Sequence, residues 1–255
     1  MIDLGDAEAR AAIRLLELAI KQGWFDKLRD ALKRKHTVLI LGSTGTGKTN
    51  FVQSLTEIVP KAISHMNRTE FVKTHAIKIA KEPFNVIDTP GQVLHSSRRV
   101  KAIREAIGKG AIGVINVVSY GYHEGRTARS EALTARGRIK ESFLERNRRQ
   151  ELLDLDDWKV LLGGPETTKW LVTVVTKADL WWSQRSDVLD HYQTGPYYRA
   201  LGPARSLNPS VMEYCSVFHK FYGEGPLSGL FDEQDRVDLR AHLLRELLAA
   251  VAGAK

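Results

Sequence analysis

Cysteine is nearly absent from this sequence: one residue, Cys215, in 255. That excludes an intramolecular disulfide framework and fits a reducing, cytoplasmic setting. Cys215 stands in the apolar run "VMEYCSVF" and reads as a small core hydrophobe rather than a reactive thiol. Long apolar runs are missing too. Stretches such as "AIGVINVV" fall far short of the roughly 20 residues that cross a bilayer, so no transmembrane segment is expected. The opening "MIDLGDAEAR" has neither the basic patch nor the apolar stretch of an export signal, and no lipid-anchor signal is expected at either end. Acidic charge is in deficit, with 30 Asp and Glu against 38 Lys and Arg, for a net charge of +8. The excess permits attraction to nucleic acid or an acidic membrane surface and requires neither. No internal repeat and no low-complexity tract stands out.

The hydrophobic share is 43%, ordinary for a globular chain and enough for a core without disulfide support. Residues 6–35 read as helix: Ile13, Leu16 and Ile20 share one face, and Phe25, Leu28 and Leu32 share another after Gly23. "TVLIL", "FNVID", "AIGVINVV", "KWLVTVV" and "SVMEYCSV" read as buried strands, and "THAIKIA" alternates like a half-exposed one. Between them lie helical patterns, including "KTNFVQSLTEIV", the basic "SRRVKAIREAIGKG" and a closing helix striped by Val237, Ala241, Leu244, Leu248 and Val251. Strands alternating with helices predict a parallel α/β sheet covered on both faces. Residues 1–36 are expected as a helical extension packed on a domain of residues 37–255. That domain carries an insertion at about 122–168.

Residues Gly42 to Thr49, "GSTGTGKT", fit the pattern G-x-x-x-x-G-K-[ST] between a buried strand and a helix. Glycines let the backbone wrap inward so that its N–H groups face phosphate oxygens, and the helix N-terminus adds favourable dipole. Gly42, Ser43, Thr44, Gly45, Thr46, Gly47 and Asn50 would line the phosphates. Lys48 would reach the β- and γ-phosphates, and the Thr49 hydroxyl would ligate Mg²⁺. In "NVIDTPGQ", Asp88 ends a buried strand, where a carboxylate needs a partner or a metal, so it is a second Mg²⁺ candidate. Gly91 allows its N–H to approach the γ-phosphate. In "VVTKADL", Asp179 can accept two N–H bonds from the guanine edge, which adenine does not offer, and the stem of Lys177 can lie along the base. The alternative for Asp179 is a helix N-cap.

In order and rough spacing, "GSTGTGKT", "DTPG" and "TKAD" resemble the P-loop GTPases of the Ras, Era and dynamin type over about residues 37–250. The resemblance implies a three-layer α/β G domain with a six-stranded, mostly parallel sheet, the "THAIKIA" strand being antiparallel at its edge. It implies GTP or GDP and Mg²⁺ as ligands. It implies a switch threonine on the metal, Thr69 or alternatively Thr74, and a base-contacting segment at Cys215, Ser216 and Val217. Thr176 stands where many relatives have asparagine, though a dynamin-like subset also uses threonine, and Thr44 stands where Ras-like members have glycine. Gln92 follows Gly91, where Ras-like members use glutamine to orient the attacking water. Arg68 reads as a solvated residue beside Thr69. With Lys48 and Thr69, Gln92 completes the catalytic set the resemblance implies.

The expected activity is therefore slow GTP hydrolysis that drives a switch toward a protein effector or regulator. The alternatives are a nucleic-acid- or ribosome-associated GTPase and a GTP-binding scaffold without turnover. Three surfaces are open to a partner: the basic helix with Arg98, Arg99, Lys101, Arg104 and Lys109; the basic stretch 126–149; and the aromatics Trp181, Trp182, Tyr192, Tyr197 and Tyr198. The plainer readings are a solvated face, internal ion pairs with neutralisation by "ELLDLDDW", and a local subcore.

Overall fold

The computed structural model describes residues 36–54, 84–88, 96–108, 113–124, 127–162, 168–218, 221–223 and 230–253. Five strands, β1 (His36–Leu41), β2 (Phe84–Asp88), β3 (Gly113–Val118), β4 (Trp170–Val175) and β5 (Ser210–Glu213), form one sheet in the order β2-β1-β3-β4-β5. Every pairing is parallel. In register, Ile40 lies opposite both Asp88 and Ile115, which brings the ends of β1, β2 and β3 to one rim. The edge strand expected at "THAIKIA" and the N-terminal extension lie outside the described residues, apart from His36, which opens β1.

β-branched and leucine runs make these strands apolar on both faces, and period-2 alternation sends each set to a different core. Leu39, Leu41, Val114, Val118, Leu171 and Val175 face one side. There they pack with Ile103 of α2 (Ser96–Gly108), Phe143, Leu144 and Leu155 of α3 (Glu141–Asp156), and Val188 and Tyr192 of α4 (Arg185–Gln193). Val38, Ile40, Ile115, Val117, Val172 and Val174 face the other side. They meet Phe51 of α1 (residues 48–54) and Leu243, Leu247 and Val251 of α5 (Glu233–Gly253). Helices therefore cover both faces, as the three-layer reading requires. All five residues of the expected stripe on the closing helix are buried.

The insertion contains α3, flanked by the short helical turns Arg129–Ala132 and Lys159–Leu162. The aromatic segment after β4 is also helical. Trp181, Tyr192 and Tyr197 are wholly buried, so this cluster is a subcore rather than a free surface. Among the described residues no helix is long and apolar enough to cross a membrane.

Candidate nucleotide-binding site

The loop after β1 turns at Gly42, whose φ is +138°, and again at Gly45 and Gly47, at +83° and +89°. Two of these positions admit no side chain. A Cβ on Gly42 would fall 2.2 Å from the Val117 carbonyl oxygen, and one on Gly45 would fall 2.8 Å from the Glu124 nitrogen. Lys48 opens α1, with its ammonium folded back to donate to the carbonyls of Gly42 at 2.6 Å and Ser43 at 3.0 Å. The Thr46 hydroxyl also donates to the Ser43 carbonyl, at 3.0 Å. Phe51 N–H donates to Gly47 O at 2.9 Å, so the amides just before it belong to the first turn of the helix. Thr49 and Asn50 are exposed beside Lys48, and so is Thr44 at the bend. This is the shape that receives an anion.

A second loop, after β4, packs against the first. The Thr176 hydroxyl donates to the Thr46 carbonyl, with the Val118 carbonyl 3.0 Å away. Thr176 thus ties the two loops together. Lys177 has left-handed backbone, φ 59° and ψ 41°, rare outside glycine and held here by its contacts. Its ammonium donates to the carbonyls of Gly45 at 2.9 Å and Tyr122 at 2.6 Å. Burial pushes it down to about 8, against the pull of Glu124, Asp179 and Glu151. Asp179 is fully buried in the turn Ala178–Trp181. The Cys215 thiol donates to Asp179 Oδ1 at 3.4 Å and is pushed well up by burial and by that carboxylate. Cys215 is thus the core residue expected, and also a neighbour of the site. Ser216 offers its carbonyl to Arg236 Nη1 at 2.9 Å, and Val217 is exposed.

These two loops and the segment after β5 bring Gly42 to Asn50, Thr176, Lys177, Asp179, Ser216 and Val217 to one rim. The backbone of Asp88 reaches that rim at the end of β2. Thr69, Thr74, Arg68, Gly91 and Gln92 lie outside the described residues. The residues present fit a nucleotide with Mg²⁺: a glycine cradle closed to Cβ atoms, an ammonium at its mouth, an exposed Thr49 beside it, and a buried carboxylate at the far end.

Several residues near the site went unread in the sequence. Ser119 to Glu124 form a strap after β3, and the Glu124 amide donates to Gly45 O at 3.2 Å. Buried Glu151 of α3 holds this strap, accepting from Ser119 N–H at 3.0 Å and lying 2.8 Å from His123 Nε2. Tyr192 donates to its other oxygen at 2.6 Å. Burial alone raises a carboxyl, but His123, Tyr192 and the Ser119 amide outweigh it and hold Glu151 below its usual range. Asp154, one turn on, accepts from the Ser43 hydroxyl. The expectation that "ELLDLDDW" neutralises the basic stretch is therefore corrected in part, because Glu151 and Asp154 point inward. The basic side chains pair elsewhere, Arg146 with Glu131, Arg148 with Glu141 and Arg149 with Glu145. The legible signal was register: Glu151 shares a helical stripe with Leu144, Leu155 and Trp158, all buried.

A family model described as "50S ribosome-binding GTPase" matches residues 37–153. Among solved structures, the chain is similar to an ADP ribosylation factor-like GTP-binding protein, the small COPII coat GTPase SAR1 from Encephalitozoon cuniculi, in complex with GDP. That likeness is at 12% identity with a TM-score of 0.36, covering 94% of this chain and 92% of that one. No curated protein matches the chain. The glycine loop, set between a buried parallel strand and a helix, lies inside the span that this GTPase family model matches, so residues 37–153 are similar to that family.

Proposed function

We propose that this chain binds GTP, hydrolyses it to GDP, and acts as a nucleotide-dependent switch toward a protein partner. The supporting observation is the wholly buried Asp179 beside Lys177, across from the glycine loop. A buried carboxylate at this rim is matched by the two N–H donors of guanine and left poorly paired by adenine. Ser216 and Val217 flank the base end. Gly42 to Asn50 cradle the phosphates, and Lys48 swings from its two loop carbonyls to the β- and γ-oxygens. Thr49, Asp88 and Thr69 are the proposed Mg²⁺ ligands; the ion supplies charge neutralisation at the β- and γ-phosphates when bound. Gly91 closes on the γ-phosphate, and Gln92 orients a water. The water oxygen bonds to the γ-phosphorus and its proton passes to the departing phosphate, as the bond from the γ-phosphorus to the β–γ bridging oxygen breaks and GDP leaves with that oxygen. Release of the γ-phosphate frees Thr69 and Gly91, and the partner reads that change. Single-turnover phosphate release tests hydrolysis. The account expects a wild-type rate on the order of 10⁻⁴ to 10⁻² s⁻¹ and a marked loss in Gln92→Ala. Equal rates in the two proteins would remove Gln92 from the mechanism, and no release at all would leave a scaffold.

A second reading, association with RNA, draws on the ribosome-binding character of the matched family and on one surface feature. Arg129, Arg136 and Lys140 line an open recess of about 1030 Å³ at the hairpin-like turn between Leu133 and Ile139. RNA affinity that falls steeply with salt and is lost in Arg136→Glu supports this reading; no binding at low salt removes it.

A further inference from the structure

We propose that Asp154 is a positioning residue for the phosphate loop, acting through Ser43, and that α3 of the insertion is thereby part of the nucleotide site. The inference rests on the reading that the loop binds guanine nucleotide. Ser43 and Asp154 are both buried and stand 111 residues apart in sequence, yet the Ser43 hydroxyl donates to Asp154 Oδ2. The other carboxylate oxygen accepts from Gln150 Nε2 at 3.1 Å. Ser43 is a node in the loop. Its carbonyl receives the Lys48 ammonium and the Thr46 hydroxyl, each at 3.0 Å, while its side chain is tied to α3. Displacing Ser43 therefore displaces the resting acceptor of the lysine that reaches for phosphate.

The same helix grips the loop at a second point. Glu151, three residues before Asp154, holds Ser119 N–H and His123, and the strap they belong to donates from Glu124 N–H to Gly45 O at 3.2 Å. The strap lies so close that Gly45 tolerates no Cβ. α3 thus fixes the loop directly at Ser43 and indirectly at Gly45. A helix that served only to fill the core would place apolar side chains at 151 and 154, because a buried carboxylate is costly unless its partners are in place. Here the partners are the two segments that shape the phosphate cradle.

The test measures affinity for GDP and for a non-hydrolysable GTP analogue in wild type, Ser43→Ala, Asp154→Ala, the double variant and Asp154→Asn, with urea stability recorded for each. Positioning through Ser43 predicts that each alanine variant binds roughly ten-fold more weakly. It predicts that the double variant is no weaker than the worse single one. Asp154→Asn, which keeps an acceptor for the hydroxyl, should stay within about three-fold of wild type. If Asp154→Ala does not fold, Ser43→Ala against Asp154→Asn carries the same comparison, since removing the donor leaves Asp154 with Gln150. Folded variants that bind like wild type, or losses that simply add, overturn the proposal. Wild type that binds no guanine nucleotide overturns the underlying reading and this proposal with it; wild type that binds while the variants bind alike overturns this proposal alone.

Discussion

The loop after β1 and the loop after β4 lie side by side at one rim of the sheet, yet they keep their shapes by different means. The first is shaped by what its residues lack. Gly42 and Gly45 are turned into left-handed backbone against neighbours that leave no room for a Cβ, and one ammonium draws the carbonyls inward. The second is shaped by what surrounds it. Thr176 and Lys177 reach across to the first loop. Trp181 Nε1 donates to Thr176 O at 2.7 Å, and Cys215 comes from the segment after β5 to meet Asp179. A loop made by local backbone freedom fails by steric strain, whereas a loop made by tertiary partners fails by losing selectivity or charge balance.

The largest effect expected from that contrast is in the first loop. Gly42→Ala would drive a Cβ into the Val117 carbonyl of the neighbouring strand, where backbone must move. A loss of about 3 kcal/mol in urea unfolding is expected, together with loss of nucleotide binding. An alanine variant with wild-type stability would break the claim that this loop is sterically determined.

In the second loop, Asp179→Asn should leave the fold nearly unchanged while weakening GTP on the order of 100-fold, because a carboxylate partner for guanine is gone. Xanthosine triphosphate should gain, since the new amide donates to the extra ring oxygen. Stability lost in parallel with affinity would instead make Asp179 a structural cap.

The smallest effect is on pH dependence. In the nucleotide-free chain Lys177 titrates at about 8, against 10.5 for an ordinary lysine. Between those values the unfolded chain holds a proton that the folded chain has released, so folding gains as pH rises from about 8 toward 10.5. Urea midpoints of the nucleotide-free protein should carry that upward component in wild type and lack it in Lys177→Met. Identical pH slopes would mean that Lys177 is better solvated than its burial implies.

The same contrast explains what could be read in advance. The glycine loop was legible to the residue because its chemistry is local: strand, glycines, lysine and helix follow one another in sequence. The five strands and the closing helix were legible from period 2 and period 3.6, since those periods report which faces are buried. Asp179 was legible as an acid at a strand exit, but its pairing with Cys215 was not: Cys215 was read as core and, by resemblance, as part of a base-contacting segment, and a thiol in an apolar run gives no sign of the carboxylate it meets. Glu151 and Asp154 were the hardest. Their run looks like a solvated acidic stretch, and only their register with Leu155 and Trp158 turns them inward, toward partners more than twenty-five residues away. Long-range pairings of this kind leave no short motif.

The central claim is that the buried carboxylate after β4 selects guanine while the loop after β1 holds the phosphates. Isothermal calorimetry of the purified chain with GTP and with ATP tests it most directly. The account predicts binding of GTP with ATP weaker by on the order of 100-fold; equal affinity for the two would contradict it.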